Sequence, residues 1–226
     1  MATIAVRWPR GEGVLRGRSR CDACGAELGA VELIPLLGAA LSHWRCRRCA
    51  APIDRRHALI EIASSIASAI ALAVAPGWFG LAGLVFAVML IALAALDLSD
   101  FWLPDALTLP LAAMGVAVTA SGLGPALRDS LLGVAAGWGA LALLGFAYRS
   151  LRGREGLGGG DAKLLGAIGA WLGWQALPLV VLAASVSGLV AIAVARGLGR
   201  KVSSTDRIPF GALLAIAAIG AWLWLA

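Results

Sequence analysis

The sequence predicts an all-α, polytopic membrane protein with about seven transmembrane helices and a small N-terminal head that contains four cysteines. Of the 226 residues, 60% are hydrophobic and 14% are charged, whereas about 25% of the residues in soluble domains are charged. Ten of the nineteen Lys and Arg residues precede residue 57, and apolar runs fill the chain after it. We therefore divide the chain into a head, residues 1–57, and a membrane domain, residues 58–226.

Seven segments of the membrane domain are apolar enough to be spans. A helix needs about 20 apolar residues to cross a hydrocarbon core of about 30 Å. The fifth segment is short, and we separate it from the sixth before Pro178, because proline favours a helix start or a break. A re-entrant fifth segment is the alternative. The predicted spans lie near residues 58–75, 78–96, 106–122, 130–148, 162–175, 176–195 and 208–225.

The distribution of basic residues predicts the orientation. Short cytoplasmic loops are enriched in Lys and Arg. The head and the loops at residues 149–160 and 196–207 are basic, and seven alternating spans place all three on one side, whereas the opposite loops contain Arg128 alone. We expect a cytoplasmic N-terminus and no cleavable signal peptide, because charged residues interrupt the first apolar stretch. The net charge of +6 does not indicate nucleic-acid binding, since the basic residues flank apolar segments and orient them.

The four cysteines form two C-x2-C pairs separated by 21 residues. Two such pairs are typical of a closed structural zinc site, and a head this small would need a metal to fold. Two disulfides are the alternative, but the expected compartment is reducing. A redox role is less favoured because no thioredoxin-like βαβ pattern surrounds the pairs. The expected zinc ligands are Cys21, Cys24, Cys46 and Cys49.

Two aspartates stand at the ends of predicted spans. Asp97 closes the second span and Asp161 opens the fifth. Ionisable groups at membrane depth are costly and mark functional sites. Asp105 opens the third span, where an N-cap is its simplest role, and Asp100 is a loop acid that rivals Asp97. If Asp97 and Asp161 meet, one carboxyl group keeps a proton while the other stays charged. Such a pair can hydrolyse a peptide bond without a covalent intermediate.

Three consecutive glycines precede Asp161. They permit unusual backbone angles and let a backbone or a bound peptide approach closely. A flexible linker followed by an N-cap aspartate is the alternative. A phosphate-binding loop does not fit, because the G-x-x-x-x-G-K-[ST] spacing and a preceding strand are both missing. Lys163 follows Asp161 closely and could hold its carboxylate or contact a lipid phosphate. The glycines are Gly158, Gly159 and Gly160.

The order and spacing of these motifs resemble the type IV prepilin peptidase family of membrane aspartic proteases. The Gly-Gly-Gly-Asp-Ala-Lys-Leu run resembles the family's G-x-G-D-x-K-L motif, and the segment that begins at Asp97 resembles its first catalytic motif. The resemblance covers nearly the whole chain. In chain order, it is carried by residues 7–12, the two cysteine pairs, residues 53–57 with Glu61, residues 97–105, residues 158–164 and residues 208–211.

The resemblance implies a specific activity. Asp97 and Asp161 would be the catalytic acids. The substrates would be prepilin or pseudopilin precursors with a short basic leader and an apolar helix, cut at the cytoplasmic face of the bacterial inner membrane, typically after a glycine. Members often also N-methylate the new terminus with S-adenosylmethionine, an activity associated with the cysteine-containing head. The implied partners are these precursors and the lipid bilayer, and no nucleic acid is expected.

The chain departs from the family pattern in two places. The family usually has one more transmembrane helix before the basic segment, whereas Met1 here stands almost directly on that segment. Ser99 occupies a position where the family often has a second acid. A transporter or proton relay is the functional alternative, but it would place acids near mid-span in two matching halves. A catalytically inactive zinc-bearing scaffold is a third possibility.

Overall fold

A computed structural model of the chain describes residues 20–21, 23–29, 32, 38, 41–52, 55–153, 158–200 and 207–226. The basic segment at residues 7–12, residues 53–54 and residues 154–157 lie outside the described residues. Within the described part the chain is helical, and its β-structure consists of two isolated bridges, Arg20 with Glu27 and Arg45 with Pro52. The all-α prediction is confirmed.

Each predicted apolar segment corresponds to one helix. Pro178 lies in the first turn of the sixth helix, as its fixed φ and missing N–H favour, and a short 3-10 turn, Trp174–Ala176, precedes that helix. The separation of the fifth and sixth segments is therefore confirmed. In chain order, the helices are α1 Arg55–Val74, α2 Trp78–Asp100, α3 Asp105–Ala120, α4 Leu127–Arg152, α5 Gly159–Leu172, α6 Leu177–Gly197 and α7 Phe210–Leu225.

The lengths of these helices make the chain an integral membrane protein. Four of them, α1, α2, α4 and α6 with its preceding turn, are long and apolar enough to cross a bilayer. Helices α3 and α7 are apolar but have 16 residues each, and α5 has 14. The number of seven crossings, and the re-entrant alternative for the fifth segment, stay predictions.

The chain forms two compact units, Met1–Ala67 and Ser68–Ala226. The boundary lies within α1, ten residues beyond the division expected at residue 57. The described part of the first unit contains the four cysteines and the start of α1. The second unit contains the remaining helices and its own buried core.

Helix α5 is the central element of the second unit and packs against α3, α4 and α7. Every residue of α5 from Ala162 to Leu172 except Lys163 is buried, which is expected of a helix that is apolar on all sides. The hydroxyl of Ser130 on α4 donates to the Ala170 carbonyl at 2.7 Å. These contacts hold α5 on several sides at once.

Small residues allow α4 and α5 to approach each other closely. A Cβ atom on Gly133 would collide with the backbone of Gly169, and one on Gly137 would lie 2.6 Å from the Leu165 carbonyl oxygen. Close backbone contact through glycine is a common way to pack helices where burial from water supplies no driving force.

The end of α5 is anchored by Trp171. Its indole Nε1 donates to the Leu111 carbonyl on α3 at 2.8 Å, and its ring stacks on Phe86 of α2 with centroids 4.9 Å apart. Beyond Trp171, the carboxylate of Asp129 accepts a hydrogen bond from Trp174 Nε1 at 3.0 Å. Asp129 lies in the first turn of α4 but does not occupy its N-cap position, which belongs to Ala126. The carboxylate instead accepts a hydrogen bond from a side chain outside α4.

The link between α2 and α3 turns sharply. Phe101 adopts a left-handed conformation, φ 51°, and its N–H donates to the Asp97 carbonyl at 3.0 Å, which ends α2. The chain then passes through Leu103 and the buried Pro104 before α3 begins at Asp105. This short link brings Leu103 to the end of the bundle that carries Asp97 and Asp161.

Candidate active site

Asp97 lies in the last turn of α2 and is 5% exposed. Its Oδ2 accepts a hydrogen bond from the backbone N–H of Ala212 at 2.8 Å. Ala212 belongs to the first turn of α7, where N–H groups have no partner within the helix and the helix dipole favours negative charge. A buried carboxylate therefore receives both a donor and a favourable field from a helix that begins 113 residues further along the chain.

Asp161 lies in the first turn of α5 and is half-buried. The N-cap position belongs to Gly158, so Asp161 is not the N-cap residue that the linker alternative required. Its own N–H donates to the Gly158 carbonyl at 3.2 Å.

The glycines before Asp161 have ordinary backbone angles, and the lack of a side chain is what one of them, Gly160, contributes. Gly158 has an ordinary φ of −70°, and none of the three is among the residues with positive φ. A Cβ atom on Gly160 would lie 2.9 Å from Leu103 Cβ, whereas one on Gly159 would meet nothing within 4 Å. The close neighbour at Gly160 is thus the Leu103 side chain, and the expected approach of a bound peptide stays a prediction.

The two aspartates converge on Gly211, the second residue of α7. A Cβ atom added there would lie 3.0 Å from Asp97 Oδ2 and 3.1 Å from Asp161 Oδ1, so these oxygens are at most 6.1 Å apart, the sum of 3.0 and 3.1 Å. The missing side chain leaves the space between them open. The structure therefore brings together two acids that are 64 residues apart in the chain.

Leu103 forms the apolar side of this space. Its Cδ1 would be 2.7 Å from a Cβ atom on Gly211, and the same side chain covers Gly160. Sequence reasoning did not single out Leu103 or Gly211 as parts of a site. The available signal was the position of both residues within motifs that carry the family resemblance.

Asp100, the rival of Asp97, lies at the exposed end of α2. Its carboxylate accepts a hydrogen bond from the neighbouring Ser99 hydroxyl at 2.5 Å. The geometry therefore makes Asp97, and not Asp100, the acid that shares the Gly211 position with Asp161.

Lys163 has a different partner from either one expected. Its Nζ lies 2.7 and 2.8 Å from the two carboxylate oxygens of Asp105. Residues two apart on a helix point about 200° apart at 3.6 residues per turn, so Lys163 is directed away from the Asp161 carboxylate. Asp105 was expected as an N-cap, but that position belongs to Pro104. The ion pair joins the start of α3 to α5.

The four cysteines form a second candidate site in the first unit. All are free thiols, and their sulfur atoms lie within 4.8 Å of one another. The Cys21–Cys49 and Cys24–Cys46 separations are 3.8 and 4.0 Å, far beyond the roughly 2.05 Å of a disulfide. A tetrahedral zinc ion with bonds of about 2.3 Å holds its sulfur ligands about 3.8 Å apart. The arrangement therefore fits a metal and does not fit two disulfides.

Both C-x2-C pairs fold in the same way. In each, the carbonyl of the first cysteine accepts from the N–H four residues later at 2.9 Å. That donor residue is Gly25 in the first pair and Ala50 in the second, with φ of 69° and 56°. Gly25 makes a tight turn at no steric cost, and Ala50 adopts the same left-handed conformation, which costs energy for a residue with a Cβ.

The backbone of the second pair also favours a thiolate. Hydrogen bonds from the N–H groups of Cys49 and Arg48 lower the pKa of Cys46 to about 6. For Cys49, a hydrogen bond from Ala51 acts in the same direction, but desolvation and the neighbouring thiols outweigh it and raise the pKa to about 12. The Cys46 and Cys49 thiols therefore hold their protons unequally, and a divalent cation bound by the cluster would displace protons from its ligands.

Apolar helices that bring two carboxyl groups to one open position define a membrane protein with a site suited to acid–base chemistry. Two family models match the sequence. The type IV leader peptidase family matches residues 84–193, and the bacterial peptidase A24 N-terminal domain matches residues 1–75. This chain belongs to the type IV leader peptidase family.

Individual relatives agree with this assignment. A prepilin leader peptidase/N-methyltransferase of Aeromonas hydrophila is 44% identical over 92% of this chain and 71% of its own length. Proteins of the same name from Burkholderia pseudomallei strain 1026b and Pseudomonas aeruginosa are 43% and 37% identical, over 88% and 91% of this chain and 64% and 71% of their own lengths. No solved structure matches the chain.

Proposed function

We propose that this protein is a membrane aspartic endopeptidase that removes the basic leader from type IV prepilin or pseudopilin precursors. The observation that carries the proposal is the convergence of Asp97 and Asp161 on Gly211. Family membership and the names of the relatives support the choice of substrate. A transporter or proton relay is disfavoured, because both acids stand at helix ends and face each other.

The environment of each acid suggests its role. The N–H of Ala212 and the positive end of α7 stabilise negative charge on Asp97. Two nearby carboxyl groups do not both ionise readily, so we assign the charged form to Asp97 and the protonated form to Asp161. This division of labour follows the general logic of paired carboxyl groups.

The reaction proceeds through a water molecule between the two acids. Asp97 takes a proton from the water, whose oxygen attacks the carbonyl carbon of the scissile peptide bond. Asp161 gives its proton to the carbonyl oxygen, which produces a tetrahedral diol. As the diol collapses, one hydroxyl proton returns to Asp161, the proton held by Asp97 passes to the amide nitrogen, and the C–N bond breaks. The acids end in their starting states.

The location of the site suits a precursor with an apolar helix. The acids lie where α2 ends and α5 begins, so an extended peptide can enter from the aqueous side while its apolar helix stays in the bilayer. The basic loops of the sequence favour a cytoplasmic location for this side. We therefore propose a protein of the bacterial inner membrane with a cytoplasmic N-terminus, and a head at residues 1–57 that precedes the peptidase domain at residues 58–226.

We assign the cysteine cluster a structural zinc ion. Cys21, Cys24, Cys46 and Cys49 would hold it, and the sulfur spacing supports this choice. Such an ion stabilises the fold of the head and leaves no open position for chemistry. By analogy with the named activity of the relatives, we propose that the protein also methylates the new N-terminus from S-adenosylmethionine.

The peptidase proposal is tested by co-expression with a pilin precursor. Asp97→Asn and Asp161→Asn each remove one member of the pair, so leader removal should slow by at least about 100-fold. Asp100→Asn is the matched control, because it neutralises an exposed acid three residues from Asp97, and it should cleave at the wild-type rate. If either of the first two variants processes the precursor normally, the assignment is wrong.

A further inference from the structure

We propose that Asp105 and Lys163 are positioning residues that set the Asp161 carboxyl group relative to Asp97. This inference rests on the proposed function and names residues that the chemistry itself does not use. The ion pair would act by fastening the first turns of α5 to the start of α3.

The ion pair connects the first turns of two helices. Lys163 Nζ contacts both carboxylate oxygens of Asp105, at 2.7 and 2.8 Å. The two residues are 58 positions apart in sequence, and each lies in the first two turns of its helix. A contact of this kind fixes the position of the first turn of α5 relative to α3. Because Asp161 belongs to that turn, the contact also fixes the position of Asp161.

A second contact joins the same two segments. Leu103, two residues before Asp105, packs on Gly160, one residue before Asp161, with 2.9 Å between Leu103 Cβ and a Cβ placed on that glycine. Residues 103 and 105 thus hold residues 160 and 163, and Asp161 lies between the two points of attachment. Because Leu103 also lies against the open position at Gly211, the α2–α3 link connects both aspartates.

Stability does not account for this ion pair. The side chains of Lys163 and Asp105 are 40% and 54% exposed, and exposed pairs contribute little to folding. The rest of α5 is buried against three helices and does not need the pair for packing. Positioning is more sensitive, since a displacement of about 1 Å at a reacting group can cost about 100-fold in rate.

Lys163 does not contact the Asp161 carboxyl group directly. Its ammonium is engaged by Asp105, and side chains two positions apart on a helix do not face each other. Its effect on Asp161 must therefore pass through the backbone of α5, which distinguishes a positioning residue from a catalytic one.

The test compares single variants with a charge exchange. Asp105→Asn, Lys163→Met and the double variant D105K/K163D are reconstituted in lipid vesicles as the full chain, and kcat and KM for a precursor are measured with the thermal midpoint. We expect each single variant to lose about tenfold or more in kcat with little change in KM or in the midpoint. The exchanged pair should recover most of the lost kcat.

Two controls make the result interpretable. Asp129→Asn neutralises an acid at the other end of α5 and should leave kcat unchanged. Lys163→Arg keeps the cation and should retain most of the activity even if Lys163→Met fails to fold. Wild-type kcat in folded single variants, or an exchanged pair as slow as either single variant, overturns the inference. The wild-type protein is assayed beside the variants. Its cleavage of the precursor tests the proposed function, whereas the variants test only the positioning role of the ion pair.

Discussion

Gly211 occupies the position where Leu103 and the two carboxyl groups meet. Gly211→Ala adds a methyl group within 2.7 Å of Leu103 Cδ1 and about 3 Å of both carboxylate oxygens, so water and substrate lose that space. The flexible Leu103 end can yield, so we expect a small change in thermal midpoint but a fall in kcat of at least about tenfold. Gly220→Ala is the matched control on the same helix, because its Cβ would meet nothing within 4 Å. Equal kcat for the two variants would contradict the role given to Gly211.

A second residue-scale prediction concerns the two cysteine turns. Ala50 adopts a left-handed conformation, φ 56°, that Gly25 adopts at the matching position with φ 69°. Ala50→Gly should stabilise the metal-loaded head by about 1 kcal/mol, and Gly25→Ala should destabilise it by a similar amount. The measurement is the chelator concentration that releases zinc, which should rise for the first variant and fall for the second by about fivefold. Shifts of the same sign in both variants would contradict the account.

Side-chain partners at this scale were only partly predictable. Asp97 and Asp161 stood out because acids at the ends of apolar runs are costly. The partner of Lys163 was not predictable, because Asp105 lies 58 residues away and no local pattern encodes which distant helix start lies nearby. Asp129 shows the same limit, since Trp174 reaches its carboxylate from the far end of α5.

At the scale of elements, the contact between α4 and α5 carries a prediction of its own. A Cβ atom on Gly133 would collide with the Gly169 backbone, and neither helix can yield without moving other contacts. Gly133→Ala should therefore destabilise the protein by about 1–3 kcal/mol, as overpacking does. Gly139→Ala, on the same helix but with nothing within 4 Å of its Cβ, should be neutral or slightly stabilising. Thermal unfolding in detergent measures both, and equal midpoints would mean that the helices do not meet at Gly133.

The helices themselves were predictable, whereas their neighbours were not. Apolar run lengths and Pro178 located each of the helices α1 to α7 to within a few residues, because a bilayer demands long apolar segments and proline limits where a helix can start. The lipid-facing and the buried sides of these helices are equally apolar. Hydropathy therefore does not reveal that α5 is the central helix. The Ala212 donor to Asp97 spans 115 residues and depends on how α2 and α7 pack.

At the scale of the whole molecule, the two units are stabilised in different ways. The first unit, Met1–Ala67, contains the thiol cluster, and the sulfur spacing fits a metal. The second unit is held by helix packing around α5. Chelation of the proposed zinc ion should therefore unfold the head while the carboxyl pair of the second unit keeps its packing. Circular dichroism and precursor cleavage after chelation measure the two effects, and loss of helix throughout the chain would contradict this separation.

The central claim is that Asp97 and Asp161 act as one unit in peptide hydrolysis. The most direct measurement compares leader removal by Asp97→Asn, Asp161→Asn and the double variant under single-turnover conditions. The effects of substituting residues that act as a unit are not additive, so we predict that both single variants fall to one residual rate and that the double variant is no slower. Losses that multiply in the double variant, or a single variant that keeps the wild-type rate, would contradict it.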